Sequence, residues 1–215
     1  MHLKKVVLLH KNYPTREHYP FNLDIFNKTG SVPFSSPVTF FIGENGTGKS
    51  TLLKAIALKC GIHIWQPEER GRYEMNPFED QLYHYVNVEW KDKPVPGDYT
   101  SSELFKYFSQ SLDDWAAVDP EMLQYFGGRS LLTQSHGQAL MSYFRSSFQR
   151  DGLFLLDEPE TALSPKKQIE LLRLLDRTSR AGRGQFIIAS HSPILLACPG
   201  ARVYCFDHTP LKEVR

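Results

Sequence analysis

Cysteine is scarce, long apolar runs are missing and net charge is close to zero, and each shortage removes a class of protein. Three cysteines, Cys60, Cys198 and Cys205, stand far apart without C-x-x-C spacing. That excludes a disulfide framework and a thiolate zinc site, and it suits a reducing compartment; all three read as packing residues. The longest apolar runs, such as Val6–Leu9, Leu153–Leu156 and Ile194–Cys198, fall far short of the ~20 residues a membrane-crossing helix needs. Near the start, two lysines precede an apolar stretch too short for a signal peptide and without a small-residue cleavage site. The expectation is a cytoplasmic protein with no membrane insertion. No long heptad pattern, internal repeat or low-complexity tract occurs, which excludes an extended coiled coil.

What is present is enough to build a core: 215 residues, 41% of them hydrophobic, predict one globular domain over 1–215 with a segment inserted in it. The net charge of +1 hides an uneven distribution. Residues 61–134 carry 6 Lys/Arg against 13 Asp/Glu, net −7, and the remainder is net +8. This acidic stretch is also rich in aromatics, among them Trp65, Tyr73, Phe78, Tyr85, Trp90, Tyr99, Phe108 and Trp115. Nucleic-acid sites pair aromatic rings with basic charge, which neutralises phosphates. The sign here is wrong for that, so 61–134 is expected to be an inserted lobe with its own aromatic core. Nucleic acid, if bound, should meet basic residues elsewhere.

Hydrophobic patterning predicts an opening strand in "KKVVLLH", a buried strand over Val38–Ile42, and a helix over Ser50–Lys59 with Leu52, Leu53, Ile56 and Ala57 on one face. Prolines and irregular polar stretches follow, with loops near 67–78 and 91–100. Regularity returns with a helix from about Gly137, the strand "GLFLLDEPE", a helix over Pro165–Arg180, the strand "GQFIIAS", a short Pro193-led helix and the strand "ARVYCF". Short, wholly apolar strands alternating with helices imply an α/β fold whose mostly parallel sheet is covered on both faces.

Between the buried strand and its helix lies "GENGTGKST": Gly43, Asn45, Gly46, Thr47, Gly48, Lys49, Ser50 and Thr51. It fits G-x-x-x-x-G-K-[ST], the P-loop that cradles phosphates. Without Cβ atoms, successive backbone N–H groups can point at phosphate oxygens, and the following helix adds its positive dipole end. Lys49 would reach the β- and γ-phosphates and Ser50 would bind Mg²⁺. The second chemical element is "LFLLDEPE". An apolar strand ending in Asp157-Glu158 sets acids at the carboxyl edge of a parallel sheet, where open α/β proteins bind ligands. Asp157 would hold Mg²⁺ and Glu158 would orient and deprotonate the attacking water. The two elements together point to nucleoside-triphosphate hydrolysis.

In this order, the motifs resemble the ATP-binding cassette (ABC) superfamily. "TQSHGQ" (Thr133–Gln138) resembles its LSGGQ signature, "TALS" (Thr161–Ser164) its D-loop and "IIASHS" (Ile187–Ser192) its switch-histidine strand. Ser135, Gly137 and Gln138 are kept, whereas His136 stands where that family has glycine. The SHGQ form, with "DEPE", resembles the soluble RecF, chromosome-maintenance and overcoming-lysogenization branch, and within it small stand-alone bacterial ATPases, more than transporter subunits. The resemblance implies ATP and Mg²⁺ as cofactors and a head-to-tail homodimer with two sandwiched ATP molecules. His191 would then contact the γ-phosphate, and Ser135 and Gly137 would close over the nucleotide of the second chain. It further implies an ATP-driven switch in DNA maintenance or defence, acting on a protein partner that the sequence does not name; the alternative is the ATP-binding subunit of a transporter. Several assignments stay open. The Q-loop ligand to the metal is Glu103 in "SSELF" or Gln66 in "IWQPEE", with Glu103 taken first. The adenine-stacking ring is Tyr19 or, second, Tyr13. His136 either adds a phosphate contact across the dimer or only replaces a glycine, and Arg129 either orients the signature or is a solvated side chain.

Overall fold

In the computed structural model of the protein, residues 1–65 and 76–214 are described. The chain runs through β1 (Leu3–Leu8), α1 (Asp24–Lys28), β2 (Ser31–Pro33), β3 (Val38–Ile42) and α2 (Lys49–Lys59). It continues with β4 (Val86–Trp90), β5 (Gly97–Ser101), α3 (Phe105–Val118), α4 (His136–Ser147), β6 (Gly152–Asp157) and α5 (Pro165–Arg180). It closes with β7 (Gly184–Ala189), α6 (Pro193–Leu196), β8 (Arg202–Cys205) and β9 (Lys212–Val214). The main sheet has the order β5-β6-β7-β3-β8-β9 and is parallel except for edge strand β9. A smaller antiparallel sheet has the order β2-β1-β4. The expected mostly parallel α/β architecture is therefore what the chain adopts.

The apolar strands are apolar throughout because both faces of the main sheet are covered. Leu153, Leu155, Ile187, Ala189 and Phe41 enter one core, with α2 and the antiparallel sheet. Phe154, Leu156, Phe186, Ile188 and Phe40 enter the other, with α3, α4 and α5. Every residue of β6 and of β7 is buried. Each such Phe, Leu or Ile contributes about 1.5–3 kcal/mol relative to exposure, so the six-residue runs hold the strands in place more firmly than any propensity does. The helices follow the same logic. In α5, Pro165 takes the first helical position, where its missing N–H costs nothing, and Leu171, Leu174 and Leu175 form the buried stripe. Gln185 links the two sheets: its Oε1 accepts from the His2 and Leu3 backbone N–H groups at 2.6 and 2.7 Å, and its Nε2 donates to Leu3 O at 2.9 Å.

The segment 61–134, expected as one self-contained lobe, is divided between the two cores. β4 pairs with β1 in the antiparallel sheet and β5 pairs with β6 as an edge of the main sheet. Phe78, Tyr83, Tyr85, Trp90 and Tyr99 pack in the first core, whereas Trp65, Phe105, Phe108 and Phe126 pack in the second. Outside both sheets lie the 3-10 turn Leu82–Tyr85 before β4 and, after β5, α3 and the 3-10 turns Pro120–Phe126 and Leu131–Thr133. Both strands escaped the pattern reading for the same reason. "VNVEW" has one half-solvated face, and "GDYTS" is an edge strand with polar residues, so neither offers a continuous apolar run. The cysteines behave as packing residues: burial pushes the Cys60 thiol up to about 12 and that of Cys198 up to about 11.

Candidate functional site

Strand register assembles the site. Phe41 pairs with Ala189, Ala189 with Asp157 and Asp157 with Ser101. One row across the sheet thus brings level the residues just before the phosphate loop, the switch segment, the acid pair and the β5–α3 turn. β7 lies between β3 and β6, so the Ser190-His191 segment emerges between the loop and the acids.

The loop is shaped by its backbone. Gly48 has φ +100°, and a Cβ there would lie 2.7 Å from Phe26 Cζ, so both conformation and space demand glycine. It caps α2, whose first residue is Lys49. Lys49 is 4% exposed and its ammonium folds back over the loop, donating to Gly43 O at 2.6 Å and Glu44 O at 2.8 Å. Burial lowers its pKa, opposed by the nearby carboxylates of Glu158, Asp207, Asp157 and Glu160. Thr47 Oγ1 donates to Glu44 O at 2.9 Å, closing the turn. Asn45 and Gly46 are exposed at its tip. Thr51 Oγ1 is hydrogen-bonded to the Tyr19 hydroxyl.

Across from the loop, Ser50 Oγ donates to Asp157 Oδ1 at 2.8 Å and Tyr99 OH donates to Asp157 Oδ2 at 2.8 Å. Burial raises the pKa of Asp157, and the two hydrogen bonds work against that rise. Burial and the neighbouring Asp157 hold the Tyr99 hydroxyl protonated, well above its ordinary range. The next residue, Glu158, has φ +46°, the one non-glycine left-handed backbone among the described residues. Such conformations are uncommon outside glycine and gather at functional sites. The turn is fastened by Glu158 N donating to Ala189 O at 2.9 Å, and by Ser102 Oγ and Thr161 Oγ1 donating to Glu158 O at 3.0 and 2.9 Å. Glu158 Oε1 lies 3.5 Å from His191 Nε2, and Glu160 Oε1 accepts the His191 backbone N–H.

Mg²⁺ suits this pair of oxygens. Among the described residues no group of three His, Cys, Asp or Glu side chains could hold a metal alone. However, Mg²⁺ commonly takes one or two protein oxygens and fills the rest with phosphate and water. Ser50 and Asp157, hard donors already in contact at the foot of the loop, would hold it, and the ion would clamp the phosphates and neutralise their charge. Glu103, the first choice for the Q-loop, is exposed in the turn between β5 and α3, close enough for its charge to act on Tyr99. Gln66 lies outside the described residues.

The signature begins α4 and is not part of the row. Ser135 caps α4, its N–H donating to Gln138 Oε1 at 3.2 Å in a capping-box arrangement. Gly137 faces the D-loop: a Cβ there would lie 2.5 Å from Ala162 O. Ser135, His136 and Gln138 are exposed, and the His136 ring sits edge-on to Phe105 at 5.9 Å. Arg129 is exposed. Tyr19 borders a cleft of about 120 Å³ with Thr51, Lys54, Leu58, Asp80 and Leu82, next to the loop. Tyr13 packs its ring 4.8 Å from Phe21 and donates to Phe26 O at 3.4 Å, so it is a packing residue. Sequence reading passed over Tyr99, Glu160 and Asp207, whose Oδ1 accepts the Glu44 N–H at 2.8 Å. Tyr99 and Asp207 belong to no local motif and reach the loop only through the sheet, whereas Glu160 closes the DEPE turn without a role that spacing assigns.

Two family descriptions match the chain: "AAA domain, putative AbiEii toxin, Type IV TA system" over residues 130–197 and "AAA domain" over residues 21–92. The ferric enterobactin transport ATP-binding protein FepC of Escherichia coli (strain K12) is 29% identical over 171 residues, 72% of this chain and 62% of that protein. The petrobactin import ATP-binding protein FpuD of Bacillus anthracis is 28% identical over 177 residues, covering 75% and 64%. The chain therefore spans a little under two thirds of the length of these relatives. Among solved structures, the SMC head domain from Thermotoga maritima superposes with a TM-score of 0.52 at 16% identity, over 100% of this chain and 98% of that one. An ATP-binding cassette of an ABC transporter, in its ADP conformation, gives 0.54 at 15% identity, over 95% and 87%. Fold and motif order define a P-loop domain of the kind seen in ABC and SMC heads. In motif order and fold the chain is similar to the ATP-binding proteins of the ABC superfamily.

Proposed function

We propose that the protein binds Mg-ATP and hydrolyses it slowly as an ATP-driven dimerising switch in DNA maintenance or defence. The observation that carries this is that the signature is exposed at the start of α4 and not in the strand row. The strand row gathers Lys49, Ser50, Asp157, Glu158 and His191, while Ser135 and Gln138 face solvent on another element. A second copy presenting its own Ser135 and Gly137 would complete the γ-phosphate site, add donors where charge develops and exclude water. Glu158, 3.5 Å from His191 Nε2, is the base for the attacking water, with His191 beside the γ-phosphate. In support of the soluble branch stand the SHGQ and DEPE forms and the match over residues 130–197, whose description names a toxin system.

A second reading has a specific observation in its favour: the curated relatives are named as transport and import ATP-binding proteins. In that reading the same chemistry drives a membrane partner. Among the described residues no helix is long and apolar enough to cross a membrane, so such a partner would supply the membrane spans.

Replacing Glu158 with Gln keeps size and much of the hydrogen bonding but removes the proton acceptor. Hydrolysis should collapse while ATP binding survives, and unspent ATP should stabilise the dimer by mass action. Light scattering of Glu158→Gln with Mg-ATP is expected to report a dimer, which Ser135→Arg should dissolve. A monomer under saturating ATP, or a dimer indifferent to Ser135→Arg, would refute the shared site.

A further inference from the structure

We propose that Tyr99 is a positioning residue for the magnesium carboxylate: its hydroxyl fixes which oxygen of Asp157 is left for the ion. This rests on the reading of Ser50 and Asp157 as the Mg-nucleotide pair. A carboxylate at the end of a strand can present either oxygen by rotating about its terminal bond, and an ion held by one protein carboxylate depends on that choice. Here the rotation is blocked from one side. Tyr99 OH donates to Oδ2 at 2.8 Å, while Oδ1 is turned to Ser50 Oγ, also at 2.8 Å. Tyr99 is 4% exposed and Asp157 8%, so water does not compete for Oδ2.

Position supports the assignment. Tyr99 comes from β5, whose Ser101 pairs with Asp157. The hydroxyl is thus delivered by a different strand from both loop and acid, and it remains in place when Ser50 turns toward an ion. The ring has a separate, space-filling task. It packs in the first core and borders a small gap with Phe105, Phe108 and Tyr143. Phenylalanine would fill that space equally well, so the hydroxyl is needed only for Asp157. Partners that orient a metal ligand commonly change metal affinity by about 10- to 100-fold when removed.

The experiment uses Tyr99→Phe in the full chain. Binding of a fluorescent ATP analogue is titrated without metal and then with rising Mg²⁺, alongside thermal melting. The Mg²⁺ concentration for half-maximal tightening is expected to rise about 10-fold or more. Metal-free nucleotide affinity should stay within about twofold, and the lost turnover should return as Mg²⁺ is raised. An unchanged Mg²⁺ requirement would overturn the proposal. So would an equal loss of affinity with and without metal, or a variant that fails to fold, since either makes the hydroxyl a structural group. If the unaltered protein shows no Mg²⁺-dependent tightening, the Mg-nucleotide reading itself falls, and that is seen before any substitution.

Discussion

Asp157 shows how the site sets function against stability. Its carboxyl is buried, and burial raises its pKa despite the donors Ser50 and Tyr99. A carboxyl whose folded pKa lies above its unfolded one costs stability when ionised. The cost is relieved as pH falls through the folded value, because the native state then takes up the proton more readily. Asp157→Asn should therefore melt higher than the unaltered protein at neutral pH in the absence of nucleotide. The gain should shrink on acidification, as the natural carboxyl becomes neutral too. Calorimetric melts across pH would check both signs, with Mg²⁺-dependent ATP binding lost in the same variant. A variant that melts lower at neutral pH would show that the two hydrogen bonds outweigh the burial.

At the scale of elements, the contact between α4 and the D-loop depends on one missing methyl group. Two effects compete at Gly137. Alanine is a better helix former by about 1 kcal/mol in a helix interior, and by less in the first turn. Against that, the new Cβ would lie 2.5 Å from Ala162 O, a backbone atom that cannot swing aside, and overpacking of this kind costs about 1–3 kcal/mol. The clash should win. Gly137→Ala is expected to lower the melting temperature by several degrees and to weaken ATP-dependent dimerisation, while ATP affinity of the single chain stays near normal. Scanning calorimetry and light scattering would measure the two effects, and unchanged melting would mean that the D-loop yields freely. Gln185 shows the same economy in the fold, since one amide makes three hydrogen bonds to the backbone at the start of β1.

For the whole molecule the governing quantity is charge distribution. Residues 61–134 are net −7 and the remainder is net +8. Since phosphate neutralisation dominates nucleic-acid affinity, any duplex DNA that the protein binds should crosslink to basic residues outside 61–134. Its affinity should fall steeply between low and physiological salt. Crosslinks concentrated on the acidic segment, or binding indifferent to salt, would contradict this. The division of that segment between two cores sharpens the expectation, because rings such as Phe78, Tyr99 and Phe105 are committed to packing and are not free to stack on bases.

Local pattern alone determined a good deal of this protein. The strands over Val38–Ile42, Gly152–Asp157 and Gly184–Ala189 and the helices over Lys49–Lys59 and Pro165–Arg180 were legible because each carries a complete signal: a wholly apolar run, or an apolar stripe with its boundary residues. The phosphate loop and the acid pair were legible for a related reason, since backbone-cradled phosphates and strand-end carboxylates require particular residues at fixed spacing. Tertiary structure decided what no spacing records. Strands β4 and β5 owe their conformation to pairing with β1 and β6, not to their own half-polar sequences. Tyr99 and Asp207 reach the site only because parallel register sets five strand ends side by side, and the same register brings Glu160 of the DEPE turn to the His191 backbone. Chemistry that lies in one continuous turn can be read along the chain; chemistry shared between strands exists only once the sheet has formed.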